Sequence, residues 1–392
     1  MEEVVIVGGM RTPIGDFNGS LKGFKATDLG VIALKGALAK VGMEPSQLEE
    51  VIAGHVYQAG CKGNPARQVA MGAGCPVETV AATINQQCPS SMRATEMIAQ
   101  EIMLGKIQCG AAIGIESMTN VPYLLLKARG GYRMGNDTLY DSLLYDALVD
   151  AFYNYHVGIT AENLAEMYNI SREEQDEYSA ESHRRAVKAI QEGIFKEEIV
   201  PVEIVTKKAT TIFDTDEHPR SDATLENLAK LRPAFKKDGT VTAGNASSLN
   251  DGASALIMMS KTKAQELGIN PLARIVATAS ASVDPKVMGI GVVPAVERVL
   301  KLANMSKEDI ELWEINEAFA AQFLACNREL NLDLDKVNVN GSGISLGHPV
   351  GMTGARLILT LIRELHRQKK QFGCASLCAG GGPAMAVIVE AL

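Results

Sequence analysis

The chain has 392 residues, 46% of them hydrophobic and 21% charged, with a formal net charge of −8. That length exceeds one simple core and predicts two or three domains, in the composition range of a soluble globular protein. The acidic balance argues against a general nucleic-acid binder, and no apolar run approaches the roughly 18–20 residues that cross a bilayer.

The chain opens Met1-Glu-Glu-Val-Val-Ile-Val-Gly8, which lacks the basic start and long apolar run of a secretory signal and reads as a first buried strand. A cytoplasmic location is the expectation. Short β runs at 4–8, 50–54, 79–85 and 109–116 alternate with helical patterns at 26–41, 64–73 and 90–104, which predicts an α/β layered fold. From 119 to 249 the pattern changes to a helix-rich insertion with amphipathic helices over 160–168 and 172–192. The α/β plan then returns. Strands are predicted at 310–316, 337–340, 374–378 and 384–390, with helices at 318–329 and 351–368. Cys88 and His348 each stand between a strand and a helix, about 260 residues apart, the mark of a domain duplication and not of a solenoid. Halves packed face to face would bring those two turns to one site.

Seven cysteines are scattered, without a CxxC pair or zinc-ligand spacing, which fits reduced thiols and no metal site. Cys88, in Asn85-Gln-Gln-Cys-Pro-Ser-Ser-Met-Arg93, sits where a helix N-terminus favours a thiolate, and Pro89 suits a first helical position. His348, in Gly347-His-Pro-Val-Gly351, is held out of the helical region by Pro349, as a general base needs. Cys378 ends an apolar strand and runs into Gly380-Gly-Gly382, whose amides suit an oxyanion. Asn316, in Asn316-Glu-Ala-Phe-Ala320, stands at a strand end, where it can orient a water or carbonyl or simply cap a helix. A lone histidine is usually a satisfied core or surface group, which is the reading for His55, His183, His218 and His366. Gly341-Ser-Gly-Ile-Ser-Leu-Gly347 has the wrong spacing for a dinucleotide loop.

Together, Arg11-Thr-Pro-Ile-Gly15, Asn316-Glu-Ala-Phe319, the His348 block and Cys378-Ala-Gly-Gly-Gly382 resemble the thiolase family over essentially the whole chain. The resemblance implies a five-layered αβαβα fold from two duplicated halves with an inserted helix-rich loop domain that binds coenzyme A. It implies an N-terminal half of residues 1–118 plus 250–270, a loop domain of 119–249, and a C-terminal half of 271–392. Cys88 would carry the acyl group after His348 takes its proton, and Cys378 would exchange the α-proton. His348 with a water on Asn316 would form one oxyanion hole, and the amides of Cys88 and Gly380 the other. Arg220, His156, Ala243, Ser247, Phe319 and Met288 are the implied contacts to coenzyme A and acyl group, with Ser247 in a strand region over 242–252. Acetyl transfer between two acetyl-CoA molecules is the first expectation, with the coenzyme A thioester as substrate and no separate cofactor. Broader 3-ketoacyl-CoA cleavage is second, and a non-catalytic acyl-CoA-binding member of a complex is the reading from another class. The segment from Arg129 to Asp141 resembles the family's assembly loop and implies a homodimer or homotetramer. Three departures stand out: Pro89 and Ser91 where the family usually has glycine, with Ser91 adding bulk beside the nucleophile, and Val157 in place of methionine.

Overall fold

The computed structural model describes residues 2–392. One sheet of ten strands runs through the molecule. In chain order its strands are β1 (Val4–Arg11), β2 (Gly15–Asp16), β3 (Glu50–Gly54), β4 (Val80–Ile84), β5 (Cys109–Ser117), β6 (Asn250–Ser260), β7 (Ala273–Ser282), β8 (Leu312–Ile315), β9 (Phe372–Cys378) and β10 (Pro383–Ala391). Their spatial order is β8-β9-β10-β7-β1-β6-β5-β3-β4, with β2 paired to β6.

This order contains one pattern twice. On one side β3 is parallel to β4 and β5, while β6 is antiparallel to both β5 and β1. On the other side β8 is parallel to β9, and β10 is antiparallel to both β9 and β7. Within the sheet, the halves join where Val5 and Ile6 of β1 face Arg274 and Ala273 of β7.

Three apolar clusters give the layers. Helices Ala26–Val41 and Pro65–Ala73 cover the outer face of the first half. Helices Val292–Ala303 and Ala320–Leu330 cover that of the second. Between the half-sheets lie helices Ser90–Met103 and Val350–Gln368, packed on Ile6, Ile52 and Leu256 from one side and Leu312, Leu377 and Val387 from the other. The helix Val350–Gln368 is buried along most of its length, with an apolar side facing the half-sheets and a buried polar stripe of Thr353, Arg356, Thr360 and Glu364. Its one buried guanidinium, Arg356, meets Glu314 at 3.3 Å. The layers therefore read helix, sheet, helix, sheet, helix, the predicted five-layered arrangement, with the two chemistry-bearing turns heading the central helices.

The expected strand at 337–340 does not form. Val337 makes an isolated parallel bridge to Trp313, and Asn338 turns left-handed at φ 48°. Its side-chain amide then replaces the ladder, accepting from the N–H of Ile315 and donating to its carbonyl, both at 2.8 Å. The expected strand region over 242–252 is likewise reduced to two isolated bridges, Thr242 to Pro233 and Ala246 to Phe319, before β6 begins at Asn250.

The segment 119–249 holds helices Gly158–Met167 and Arg172–Gln191, and also two small hairpins, Tyr123–Leu124 with Tyr140–Asp141 and Val202–Val205 with Thr210–Phe213. One of its attachments to the sheet is ionic. Arg11 of β1 is fully buried and forms a bidentate pair with Asp216 at 2.7 and 2.8 Å, while its Nε donates to Glu198 at 2.7 Å. Asp216→Ala leaves that guanidinium half-compensated in the interior and should cost about 3–5 kcal/mol in urea unfolding; a loss under about 1 kcal/mol would show that the pair anchors nothing.

Candidate active site

Cys88 sits on a bent strand-to-helix turn after β4. Gln87 takes φ 55°, and Asn85 Oδ1 steadies it by accepting from its N–H at 2.8 Å. The Ser90 hydroxyl accepts from the N–H of Gln86 and donates to the carbonyl of Gln87. Pro89 is the cap, one residue before the helix and not inside it, and its carbonyl accepts the first helical bond from Arg93 at 2.8 Å. Cys88 is half-buried against Val56, Tyr57, Leu143, Ala147 and Val350.

The thiol does not behave as a helix N-terminus alone would make it. Burial pushes it up to about 11, against backbone N–H groups of Gly380 and of Cys88 itself that favour the thiolate. Removing a charge from water outweighs a surface-scale dipole effect of about 0.3–1 kcal/mol. The resting group is therefore a thiol that needs a base.

His348 is held in the form that a general base needs. Gly347 takes φ 99°, and a Cβ there would lie 2.6 Å from Asn250, so the side chain of Asn250 can accept from the N–H of His348 at 2.8 Å. Burial, and secondarily the Arg356 charge, push the imidazole down to about 3, so it is neutral near physiological pH. Its tautomer follows from Thr353. The single hydroxyl proton of Thr353 goes to the Pro349 carbonyl at 2.9 Å, so Thr353 Oγ1 must accept from His348 Nδ1, 2.7 Å away. Nε2 is then unprotonated and lies 3.3 Å from Asn316 Nδ2. Thr353→Val removes this acceptor at nearly constant volume and should lower kcat about 10–100-fold, with Thr353→Ser near wild type in the same steady-state assay. An unchanged kcat in the valine variant would mean that the tautomer is set elsewhere.

Cys378 ends β9, fully buried, and burial pushes its thiol well above the usual range, with a further rise from the nearby sulfurs of Cys88 and Cys326. The Gly380 amide, two residues past Cys378, meets the Cys88 sulfur, so the two cysteines come from opposite halves to one site. The turn beyond Cys378 needs its glycines: Gly382 takes φ 101°, and a Cβ on it would lie 2.2 Å from the Val283 carbonyl oxygen. Buried Asn316 follows β8, and its Oδ1 has no hydrogen-bond partner, which leaves an acceptor free inside the site.

Several of the expected coenzyme A contacts also meet. The ring of His156 stacks on Phe235 at 4.5 Å, and Phe235 meets Phe319 edge-on at 6.0 Å. The N–H of Gly158 donates to His156 Nδ1 at 3.0 Å, so Nε2 carries the proton and is a donor. The Ser247 N–H donates to the Ala318 carbonyl, which places this run beside Asn316-Glu-Ala-Phe319. Met288 is buried in the same cluster as Phe319, and Ala243 is exposed. Arg220 stands apart, exposed, on a cavity of about 660 Å³ that it lines with Arg184, Lys188 and Thr224.

Sequence reasoning missed Thr353, Asn250 and Phe235, and it missed Glu116, whose buried carboxylate accepts from the N–H groups of Val56, Tyr57 and Gly351. A hydroxyl one helical turn past a histidine was the available signal for Thr353. Ser91 was misread. Its hydroxyl points to the opposite central helix, at Met352 and Ala355.

Two family models cover the chain: the thiolase N-terminal domain matches residues 4–262 and the thiolase C-terminal domain residues 269–391. The chain belongs to the thiolase family. It is 50% identical over 388 residues to an acetyl-CoA acetyltransferase of Pseudomonas aeruginosa, covering 99% of each chain. It is 48% identical to one from Escherichia coli over the whole of both. Among solved thiolase structures, the Bacillus anthracis acetyl-CoA acetyltransferase superposes with a TM-score of 0.98 at 48% identity, over 100% of this chain and 99% of that one. Human mitochondrial 3-ketoacyl-CoA thiolase gives 0.97 at 43% identity, also over 100% and 99%. The thiolase fold is thus common to both chain-length classes and does not by itself choose the acyl group.

Proposed function

We propose that this thiolase is an acetyl-CoA acetyltransferase that interconverts two acetyl-CoA molecules with acetoacetyl-CoA and coenzyme A. The observation that carries the reading is one site drawn from opposite halves, with two cysteines, the Gly380 and Cys88 amides aimed at one of them, and an imidazole held with Nε2 unprotonated. The near-half identity to acetyl-CoA acetyltransferases over full length supports acetyl as the acyl group.

In the cleavage direction, His348 Nε2 takes the Cys88 proton as Cys88 Sγ attacks the 3-keto carbonyl. The tetrahedral oxygen develops its charge against backbone or side-chain donors. The C–C bond breaks, leaving acetyl on Cys88 and an acetyl-CoA enolate, which takes its proton from Cys378. A raised thiol pKa suits that step, since Cys378 still holds its proton at neutral pH. The Cys378 thiolate then removes the proton of the incoming coenzyme A, whose sulfur takes the acetyl group, and His348 returns its proton to Cys88. Synthesis is the reverse. The free Asn316 Oδ1 suits a water that would complete an oxyanion hole with His348. His156, Phe235, Phe319, Met288 and Ser247 would line the pantetheine path, and Arg220 with Ala243 would meet the nucleotide end.

The division into residues 1–118 plus 250–270, 119–249 and 271–392 is supported by β6, which returns to the first half after the insertion. A homodimer or homotetramer is supported by the exposed arm after Tyr123–Leu124, which carries Tyr132, Met134 and Leu139 at its surface. No helix among the described residues is long and apolar enough to cross a membrane, and we place the enzyme in the cytoplasm. Cleavage rates with acetoacetyl-CoA and 3-ketohexanoyl-CoA test the acyl preference. Faster use of acetoacetyl-CoA is expected, and equal or better use of the longer substrate would make the enzyme a broader 3-ketoacyl-CoA thiolase.

A further inference from the structure

One side-chain hydroxyl bridges the two central helices by hydrogen bonds. Ser91 lies three residues after Cys88, fully buried, and both valences of its hydroxyl are used across the boundary between the halves. Its Oγ donates to the Met352 carbonyl at 3.1 Å and accepts from the Ala355 N–H at 2.9 Å. These two groups bracket Thr353, the residue whose hydroxyl fixes His348. The backbones approach closely enough that a Cβ on Gly354 would lie 2.6 Å from the Met92 nitrogen, and one on Gly114 2.7 Å from both the Ser91 Cβ and the Met352 Cα. The helix that carries the thiol and the helix that carries the base are thus fastened one turn below each group, through a hydroxyl in a space with no room to slide.

We propose that Ser91 is a positioning residue for acyl transfer: it sets the approach of Cys88 to His348 by tying the first turn of one helix to the Thr353 turn of the other. This rests on the roles given above to Cys88 and His348. The Met352 carbonyl supplies an internal control, since it also accepts from Ser254 Oγ at 3.0 Å. Ser254 stands on β6 and pins the same carbonyl with no link to Cys88, so its loss weakens the same helix turn without freeing the thiol.

The test compares Ser91→Ala and Ser91→Gly with Ser254→Ala. The readouts are melting temperature, kcat and KM for acetoacetyl-CoA cleavage, and the rate at which acetyl-CoA labels Cys88. Both Ser91 variants should lose about ten-fold in kcat and in labelling rate with KM within about two-fold of wild type, as expected when reacting atoms are misplaced but binding is not. Ser254→Ala should lower the melting temperature and leave kcat and labelling within about two-fold. Ser91 variants with wild-type kcat and labelling, or a Ser254 variant that loses both as strongly, would overturn the inference. Absence of acetyl on Cys88 in the wild-type enzyme would overturn it together with the assigned roles, whereas labelled wild type with unaffected Ser91 variants overturns it alone.

Discussion

Cys88→Ala should lower kcat for acetoacetyl-CoA cleavage by at least about four orders of magnitude, the scale seen when a covalent nucleophile is removed. The loss should fall on chemistry, since the aromatic row of His156, Phe235 and Phe319 is untouched and substrate binding should persist. A residual rate within about 100-fold of wild type would place the nucleophile elsewhere. The protonation states make a companion prediction. With the Cys88 thiol pushed up to about 11 and His348 down to about 3, the resting pair is neutral at pH 7. The thiolate fraction then grows as pH rises toward the thiol value, so alkylation of Cys88 by iodoacetamide should climb about ten-fold per pH unit between roughly pH 6 and 9. A stored thiolate–imidazolium pair would instead give a plateau across that range, and the base-assisted attack argued above would be wrong.

Cys378→Ala should separate the two halves of the reaction. Proton transfer by a positioned group contributes about 10²–10⁴-fold, so cleavage and condensation should fall by about that factor while transfer of acetyl from acetyl-CoA to Cys88 continues. The variant should also stop exchanging the α-hydrogens of acetyl-CoA with deuterium from solvent. Condensation at the wild-type rate would contradict the separate tasks given to the two thiols. Simultaneous loss of Cys88 acetylation would show that Cys378 also serves the first step.

Much of this was legible in the chain because the informative residues sit on local signals. Cys88, His348 and Cys378 lie at turns marked by proline and glycine, and the long interval between the first two disclosed the duplication that the sheet order repeats. What stayed hidden depends on contacts across that interval. The bulk of Ser91 was read correctly, but its direction is set by the helix Val350–Gln368 on the other half. The rise of the Cys88 thiol comes from burial by Val56, Leu143 and Val350, three distant segments that outweigh the local helix dipole. Asn338 shows the same limit on a smaller scale, since a β-like run over 337–340 yields to a side chain that finds Ile315. Arg220 was placed by its charge alone, and charge without a neighbouring segment leaves its partner unspecified.

The mechanism turns on which thiol carries the acyl group. Brief exposure of wild-type protein to acetyl-CoA, followed by acid quench and peptide mass mapping, measures it directly. One acetyl group on Cys88, retained in Cys378→Ala and absent from Cys88→Ala, is the predicted result. Acetyl on Cys378, or none on either cysteine, would contradict it.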